Sequence, residues 1–166
     1  MEIRRAGAAD LAACQAIYAH HVLQGTGTFE ESPPPIEEMI RRHASIVAAD
    51  LAWLVALDAS GVLGFAYFTR YRDRSAYRFT AEDSVYVRED VRGQGVGKAL
   101  VGALLDHAAV AGFRQMLAAI GDSENIGSIG VHASLGFQRV GILRDVGHKF
   151  GRFLDVVLMQ KAIERN

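Results

Sequence analysis

Val85-Tyr86-Val87-Arg88-Glu89-Asp90-Val91-Arg92-Gly93-Gln94-Gly95-Val96-Gly97-Lys98 runs from a β-rich apolar segment through a glycine-rich turn into the first turn of a helix. Such a turn suits an anion. Glycine lets the backbone approach phosphate oxygens without a Cβ in the way, several N–H groups point outward together, and the helix N-terminus adds partial positive charge. A diphosphate is the natural ligand. The dinucleotide fingerprint G-x-G-x-x-G, started at Gly93 or Gly95, needs glycine or alanine where Lys98 or Leu100 stands. A mononucleotide P-loop puts Arg92 at its first glycine and Ala99 where Ser or Thr meets Mg²⁺. What remains is R-x-x-G-x-G, Arg92 to Gly97, between a strand and a helix.

On the C-terminal side of this turn, Leu100, Val101, Leu104, Leu105 and Ala108 form one apolar stripe, and Gly112 is placed to end the helix in a left-handed cap. Met116 to Ile120 reads as a short buried strand. Asn125 is placed to cap a helix running to Leu135, closed by Gly136, with strands near Phe137 to Gly147 and Phe153 to Gln160. Before the turn, residues 2 to 6 read as a strand. Leu11, Cys14, Ile17, Tyr18 and Val22 mark an amphipathic helix from Ala8 to about Gln24. All three prolines fall in the Gly25 to Pro35 loop, and a second helix fits Ile36 to about Ala49. Leu51 to Leu57 and Val62 to Tyr71 read as a hairpin turned by Asp58-Ala59-Ser60-Gly61, and Thr80 to Arg88 as the strand entering the glycine turn. The hairpin implies antiparallel pairing, and the strand-helix-strand unit around 80 to 120 a parallel crossover, so the sheet is expected to be mixed.

With 166 residues the chain fits one domain, residues 1 to 166, able to bury roughly 70% of its unfolded surface. The 18 Lys and Arg against 19 Asp and Glu leave a formal charge of -1, which argues against nucleic acid as the main partner. Leu51 to Leu57 falls far short of the ~18 apolar residues a membrane span needs. The mixed N-terminal sequence and lone Cys14 point to the cytoplasm. Cys14 lies on the apolar stripe and reads as core. There is no H-E-x-x-H or paired-Cys pattern, and His20 and His21 project about 100° apart on a helix, so no metal is expected.

The R-x-x-G-x-G turn resembles the acyl-CoA pyrophosphate loop of the GNAT superfamily of N-acetyltransferases. Asn125, the helix after it and Leu135-Gly136-Phe137 resemble that superfamily's second CoA-facing segment and its helix exit. Arg72-Asp73-Arg74-Ser75-Ala76-Tyr77, Thr80-Ala81-Glu82, Phe29-Glu30 and Lys149-Phe150-Gly151-Arg152-Phe153-Leu154-Asp155 resemble more specifically the phosphinothricin and methionine sulfoximine N-acetyltransferase family, with Phe153 where that family usually carries Trp. The resemblance implies an α/β fold, a GNAT-like mixed twisted β-sheet with helices on both faces. It also implies acetyl-CoA as cosubstrate and a homodimer.

By the same resemblance the strand segment Val85, Tyr86 and Val87 pairs its backbone with the pantetheine arm, and an N–H there polarises the thioester carbonyl. Arg92, Gly93, Gln94, Gly95, Val96, Gly97 and Lys98 wrap the pyrophosphate, and Asn125 and Ser134 contact CoA. Glu82 is the expected general base, in an apolar context where burial raises a carboxylate pKa. His132 is the expected general acid toward the departing thiolate, since an imidazole titrates near working pH. The plain alternatives are a solvated glutamate on an edge strand and a packing histidine. Arg72 and Arg74, beside Ser75, Ala76 and Tyr77, are expected to bind the substrate, because planar guanidinium matches a carboxylate or phosphinate. The alternative is a solvated basic loop. Phe29 either covers the substrate or anchors the core. The implied reaction is direct acetylation of the α-amino group of a small amino-acid analogue; a peptide N-terminus or polyamine acceptor, and a non-catalytic CoA-sensing domain, are the competing readings.

Overall fold

The computed structural model describes residues 1–164. Its elements in chain order are β1 (Glu2–Arg5), α1 (Leu11–Gln24), α2 (Ile36–Ala48), β2 (Trp53–Asp58), β3 (Gly61–Arg70), β4 (Thr80–Val87), α3 (Val96–Val110), β5 (Gln115–Gly121), α4 (Ile126–Ser134), β6 (Gln138–Lys149) and β7 (Arg152–Ala162). Each expected helix and strand forms, with ends moved by a few residues. Residues Ala8–Asp10 make a separate 3₁₀ turn before α1, because Asp10 turns its carboxylate back onto the Gly7 N–H at 2.7 Å and onto Arg4 at 2.7 Å. Gly112 holds the expected left-handed conformation at φ 84°, and Gly136, which closes α4, is also left-handed at φ 86°.

The strands form one sheet in the order β1-β2-β3-β4-β5-β7-β6, antiparallel throughout except where β4 meets β5. Consecutive residues of β3 show what covers each face. Phe65 packs on Tyr86, whose ring meets Tyr18 of α1 edge-on at 4.8 Å. A Cβ on Gly64 would lie 3.2 Å from the Leu100 side chain of α3. Because side chains alternate along a strand, α1 and α3 cover opposite faces. The α1 face carries an aromatic stack of buried Trp53 and Phe65 with half-buried Tyr67, and the α3 face buries Leu100, Val101 and Leu104. β4 lies in the middle of the sheet, so Glu82 is not on an edge strand.

The parallel pairing of β4 with β5 lasts only from Thr80–Asp83 against Gln115–Ala118. Beyond it β4 stays paired with β3 as far as Val87, and β5 with β7 as far as Gly121, so the sheet opens at its centre. The Tyr71 N–H donates to the Thr80 carbonyl and the Arg88 N–H to the Leu63 carbonyl, at 3.0 and 2.8 Å. Antiparallel alternation therefore turns the even-numbered peptide groups of β4 toward β3, and those of Val85 and Val87 into the opening.

Candidate active site

The opening is part of a cleft of about 580 Å³ bounded by the ends of β4 and β5, the glycine turn, the start of α3 and one side of α4. The turn is shaped by backbone conformation. Gly93 and Gly95 sit at φ +75° and +83°, a region costly for residues with a Cβ, although a Cβ at either would meet nothing within 4 Å. Gly95 is the N-cap of α3, and the first bond into the helix is from the Ala99 N–H to the Gly95 carbonyl. The N–H groups of Val96, Gly97 and Lys98 thus form a first turn without intrahelical partners. All three residues line the cleft, as do Arg92, Gly93 and Gly95. Gln94 lies outside that lining, its amide turned to the Asp90 carbonyl, and Arg92 pairs with Glu89 at 2.9 Å.

Val85, Tyr86 and Val87 all line the cleft. The Val87 carbonyl, which faces the opening, accepts a hydrogen bond of 2.9 Å from Nε2 of His21 on α1. Burial pulls the His21 pKa down, against the carbonyl, which supports the charged ring. Across the cleft Asn125 caps α4: its side chain accepts from the Ser128 N–H at 3.2 Å and donates to the Gly121 carbonyl at 3.0 Å. Ser134, also in the lining, donates to the Val131 carbonyl.

At the inner end of the opening the residues of β4 divide between the faces. Glu82 shares the α1 face with Tyr86; its own carboxyl is half-buried and outside the cleft lining. Burial pushes its pKa up and the neighbouring Asp83 charge adds to this, while Arg72 opposes it. Asp83 points to the other face and meets His132, the two side chains being 1% and 2% exposed. Nε2 of His132 lies 2.9 Å from the Asp83 carboxylate and Nδ1 lies 2.7 Å from the Ser128 carbonyl. Burial alone would lower the His132 pKa, but the bond to Asp83, its charge and the Ser128 carbonyl outweigh it and hold the pKa above the ordinary histidine value.

The segment from Arg72 to Arg78 is exposed and includes a 3₁₀ turn, Ser75–Tyr77, so Arg72, Arg74, Ser75, Ala76 and Tyr77 stand outside the cleft. Arg72 stacks on Tyr71, and its charge acts on Glu82. Phe29 is half-buried and wedged between strands, since a Cβ on either Gly121 or Gly147 would run into its ring. Its loop is fastened from below. The Lys149 side chain, 1% exposed, donates to the carbonyls of Gly25 and Thr28 at 2.8 and 2.9 Å.

Sequence reasoning missed Asp83, His21 and Lys149. A signal existed for Asp83, which alternates with Ala81 and Val85 on the inward-facing phase of the strand; an acid there needs a partner. Nothing local marks the other two.

Residues 14–137 match the Acetyltransferase (GNAT) family. The chain is similar to a phosphinothricin N-acetyltransferase of Alcaligenes faecalis, at 51% identity over 154 residues covering 93% of this chain and 78% of that protein. It is also similar to an L-methionine sulfoximine/L-methionine sulfone acetyltransferase of Pseudomonas paraeruginosa, at 42% identity over 163 residues, 98% of this chain and 94% of that protein. Among solved structures it is similar to a GNAT superfamily phosphinothricin acetyltransferase from Sinorhizobium meliloti in complex with AcCoA, with a TM-score of 0.94 and 42% identity over 98% of this chain and 88% of that one. The chain therefore belongs to the GNAT acetyltransferases, in the family of phosphinothricin and methionine sulfoximine N-acetyltransferases.

Proposed function

We propose that the protein transfers the acetyl group of acetyl-CoA directly to the α-amino group of a small amino-acid analogue of the phosphinothricin, methionine sulfoximine or methionine sulfone type. The observation that carries this reading is the opening between β4 and β5, with the Val85 and Val87 peptide groups turned into it and a glycine turn at its outer end. The strand N–H and C=O groups that face the opening match the amides of a pantetheine arm, as they would match an added strand, with the Val87 carbonyl already held by His21. Arg92, Gly93, Gly95, Val96, Gly97 and Lys98 hold the diphosphate, with Asn125 and Ser134 on the opposite wall.

Glu82, directly or through a water, takes the proton of the attacking amine. A β4 N–H donates to the thioester oxygen as negative charge develops there. His132 gives a proton to the sulfur as the C–S bond breaks. One proton is taken and one given, so the count balances and no covalent enzyme intermediate is needed. Arg72 and Arg74 take the carboxylate or phosphinate of the acceptor, beside Ser75, Ala76, Tyr77 and Phe29.

The same reading makes the protein a cytoplasmic homodimer. Among the described residues no helix is long and apolar enough to cross a membrane. Val140, Leu143 and Val146 on the edge strand β6, with Phe150 and Phe153 at the hairpin tip, are exposed apolar side chains that a second copy can cover.

The test is CoA release from acetyl-CoA with phosphinothricin, methionine sulfoximine, methionine sulfone, spermidine and a short peptide, on wild type and Arg74→Ala. Turnover confined to the amino-acid analogues and weakened by the substitution supports the reading. Turnover only with peptide or polyamine overturns the acceptor, and acetyl-CoA binding without turnover of any amine overturns catalysis.

A further inference from the structure

His21 stands on the last turn of α1, and its half-buried ring forms part of the wall of the cleft. Its two nitrogens are unequally engaged. Nε2 lies 2.9 Å from the Val87 carbonyl, which only accepts, so Nε2 carries a hydrogen and donates it. Nδ1 has no hydrogen-bond partner among the described residues. Trp53 Nε1 is the one fully buried side-chain nitrogen or oxygen among them that lacks a partner, so solvent reaches Nδ1 of His21. The ring is neutral in neutral solution, since burial holds its pKa below the ordinary histidine value against the Val87 carbonyl and the Glu89 charge, and the charges of Arg92 and His20 act in the same direction as burial. A neutral ring with its hydrogen on Nε2 keeps a lone pair on Nδ1. The cleft wall thus presents a hydrogen-bond acceptor that no described residue uses.

We infer that Nδ1 of His21 accepts a hydrogen bond from the hydroxyl group of the pantetheine arm of acetyl-CoA. The inference rests on the reading of the opening as the place of that arm, and it names a cosubstrate-binding residue outside β4, the glycine turn and α4. Covalent order supports the choice of donor. In acetyl-CoA the hydroxyl-bearing carbon lies between the diphosphate and the first amide. His21 lies between the corresponding parts of the site, bonded to Val87 at the end of β4 and near enough to Arg92 of the glycine turn for that charge to act on it. Pairing capacity supports it too. The amides of the arm are served by the Val85 peptide and the Val87 N–H, as an added strand would be, whereas a strand offers nothing to a hydroxyl that branches from its neighbour. An acceptor fixed at the strand end supplies what is missing.

The ring is held in place for this task. The Nε2 bond fixes its direction, Tyr86 packs edge-on against it with ring centres 5.4 Å apart, and His20 does so at 5.9 Å. A second contact runs from α1 toward the turn: Nε2 of His20 lies 3.4 Å from Glu89, which pairs with Arg92 at 2.9 Å. The end of α1 is thereby tied at two points to the stretch that joins β4 to the glycine turn. An acceptor already fixed in direction costs little ordering entropy when a ligand arrives, and a site built to bond a hydroxyl rejects the analogue that lacks it.

The experiment uses the full chain in neutral solution, as wild type, His21→Phe and His21→Leu, with acetyl-CoA and with its analogue in which that hydroxyl is replaced by hydrogen. Calorimetry gives the affinities, and NMR of ¹⁵N-labelled histidine follows Nδ1 of His21. Wild type should bind the deoxy analogue about 3–10-fold more weakly, the worth of one neutral hydrogen bond, and each variant should bind the two compounds within about 1.5-fold of each other. A merely structural role would weaken both compounds alike and leave their ratio unmoved. The ¹⁵N signals should show Nδ1 without a hydrogen in the free protein and shifted upfield by acetyl-CoA, more than by the deoxy analogue, a readout that needs no variant to fold. Equal binding of the two compounds by wild type overturns the inference, as does a folded variant that still tells them apart, or a hydrogen on Nδ1 in the free protein. Failure of wild type to bind either compound overturns the reading of the cleft and the inference with it.

Discussion

Glu82 and Asp83 are consecutive residues of β4 that send their carboxyls to opposite faces of the sheet, Glu82 to the α1 face near Arg72 and Asp83 to His132 of α4. The alternation of a strand thereby sets Glu82 and the Asp83–His132 pair on either side of the opening through which β4 and β5 part.

Glu82→Gln keeps the shape of the side chain and removes its basicity. We expect kcat to fall by about 10²–10⁴, the usual worth of a positioned general base, with calorimetric acetyl-CoA affinity within about twofold of wild type. Burial and the Asp83 charge raise the Glu82 pKa above 4.5, so the acid limb of the wild-type rate profile should lie above the ordinary glutamate value. A limb at or below that value, or full activity in the variant, removes Glu82 from the reaction.

Stability should depend on pH through His132. Its folded pKa is raised above 6.5, so the stabilisation from its pairing is complete below that pH and is lost as pH rises through the folded value. Urea unfolding of wild type should show stability falling as pH rises above 6.5 through the raised folded pKa, and His132→Asn should flatten that slope.

The glycine turn separates two effects. Gly95→Ala forces a Cβ residue to φ +83° and should cost about 1–2 kcal/mol in thermal unfolding. Gly97 is helical, and its Cβ would meet Val87 and Val131 at an ordinary 3.5 Å, so Gly97→Ala should leave stability intact while narrowing the cleft and raising KM for acetyl-CoA.

Lys149→Met leaves the Gly25 and Thr28 carbonyls without their buried donor, and a loss of about 1–3 kcal/mol is expected. Because those carbonyls belong to the loop that leads into Phe29, the variant should also weaken any acceptor that this loop covers, seen as a raised KM for the amine.

Much of this was legible in the sequence because it is local. Helix stripes such as Leu100, Val101 and Leu104, the left-handed glycine at 112, the helix-closing glycine at 136 and the asparagine cap at 125 are properties of short windows, and each is found as expected. The glycine turn was read for the same reason. Asp83, His21 and Lys149 were not, since their meaning lies in partners 49, 66 and more than 120 residues away. Strand alternation sets Asp83 inward, but that His132 meets it there depends on where α4 packs. The Arg72 to Arg78 segment was legible as a basic loop, but its distance from the cleft lining depends on how β3 and β4 are joined.

The most direct test of the central claim is transfer of an isotopically labelled acetyl group from acetyl-CoA to phosphinothricin or methionine sulfoximine, followed by NMR of the product. The account predicts label on the α-nitrogen of the acceptor, one equivalent of CoA released per product and none of the label on the protein. Label retained on the protein, or CoA released without an N-acetylated product, would contradict direct transfer.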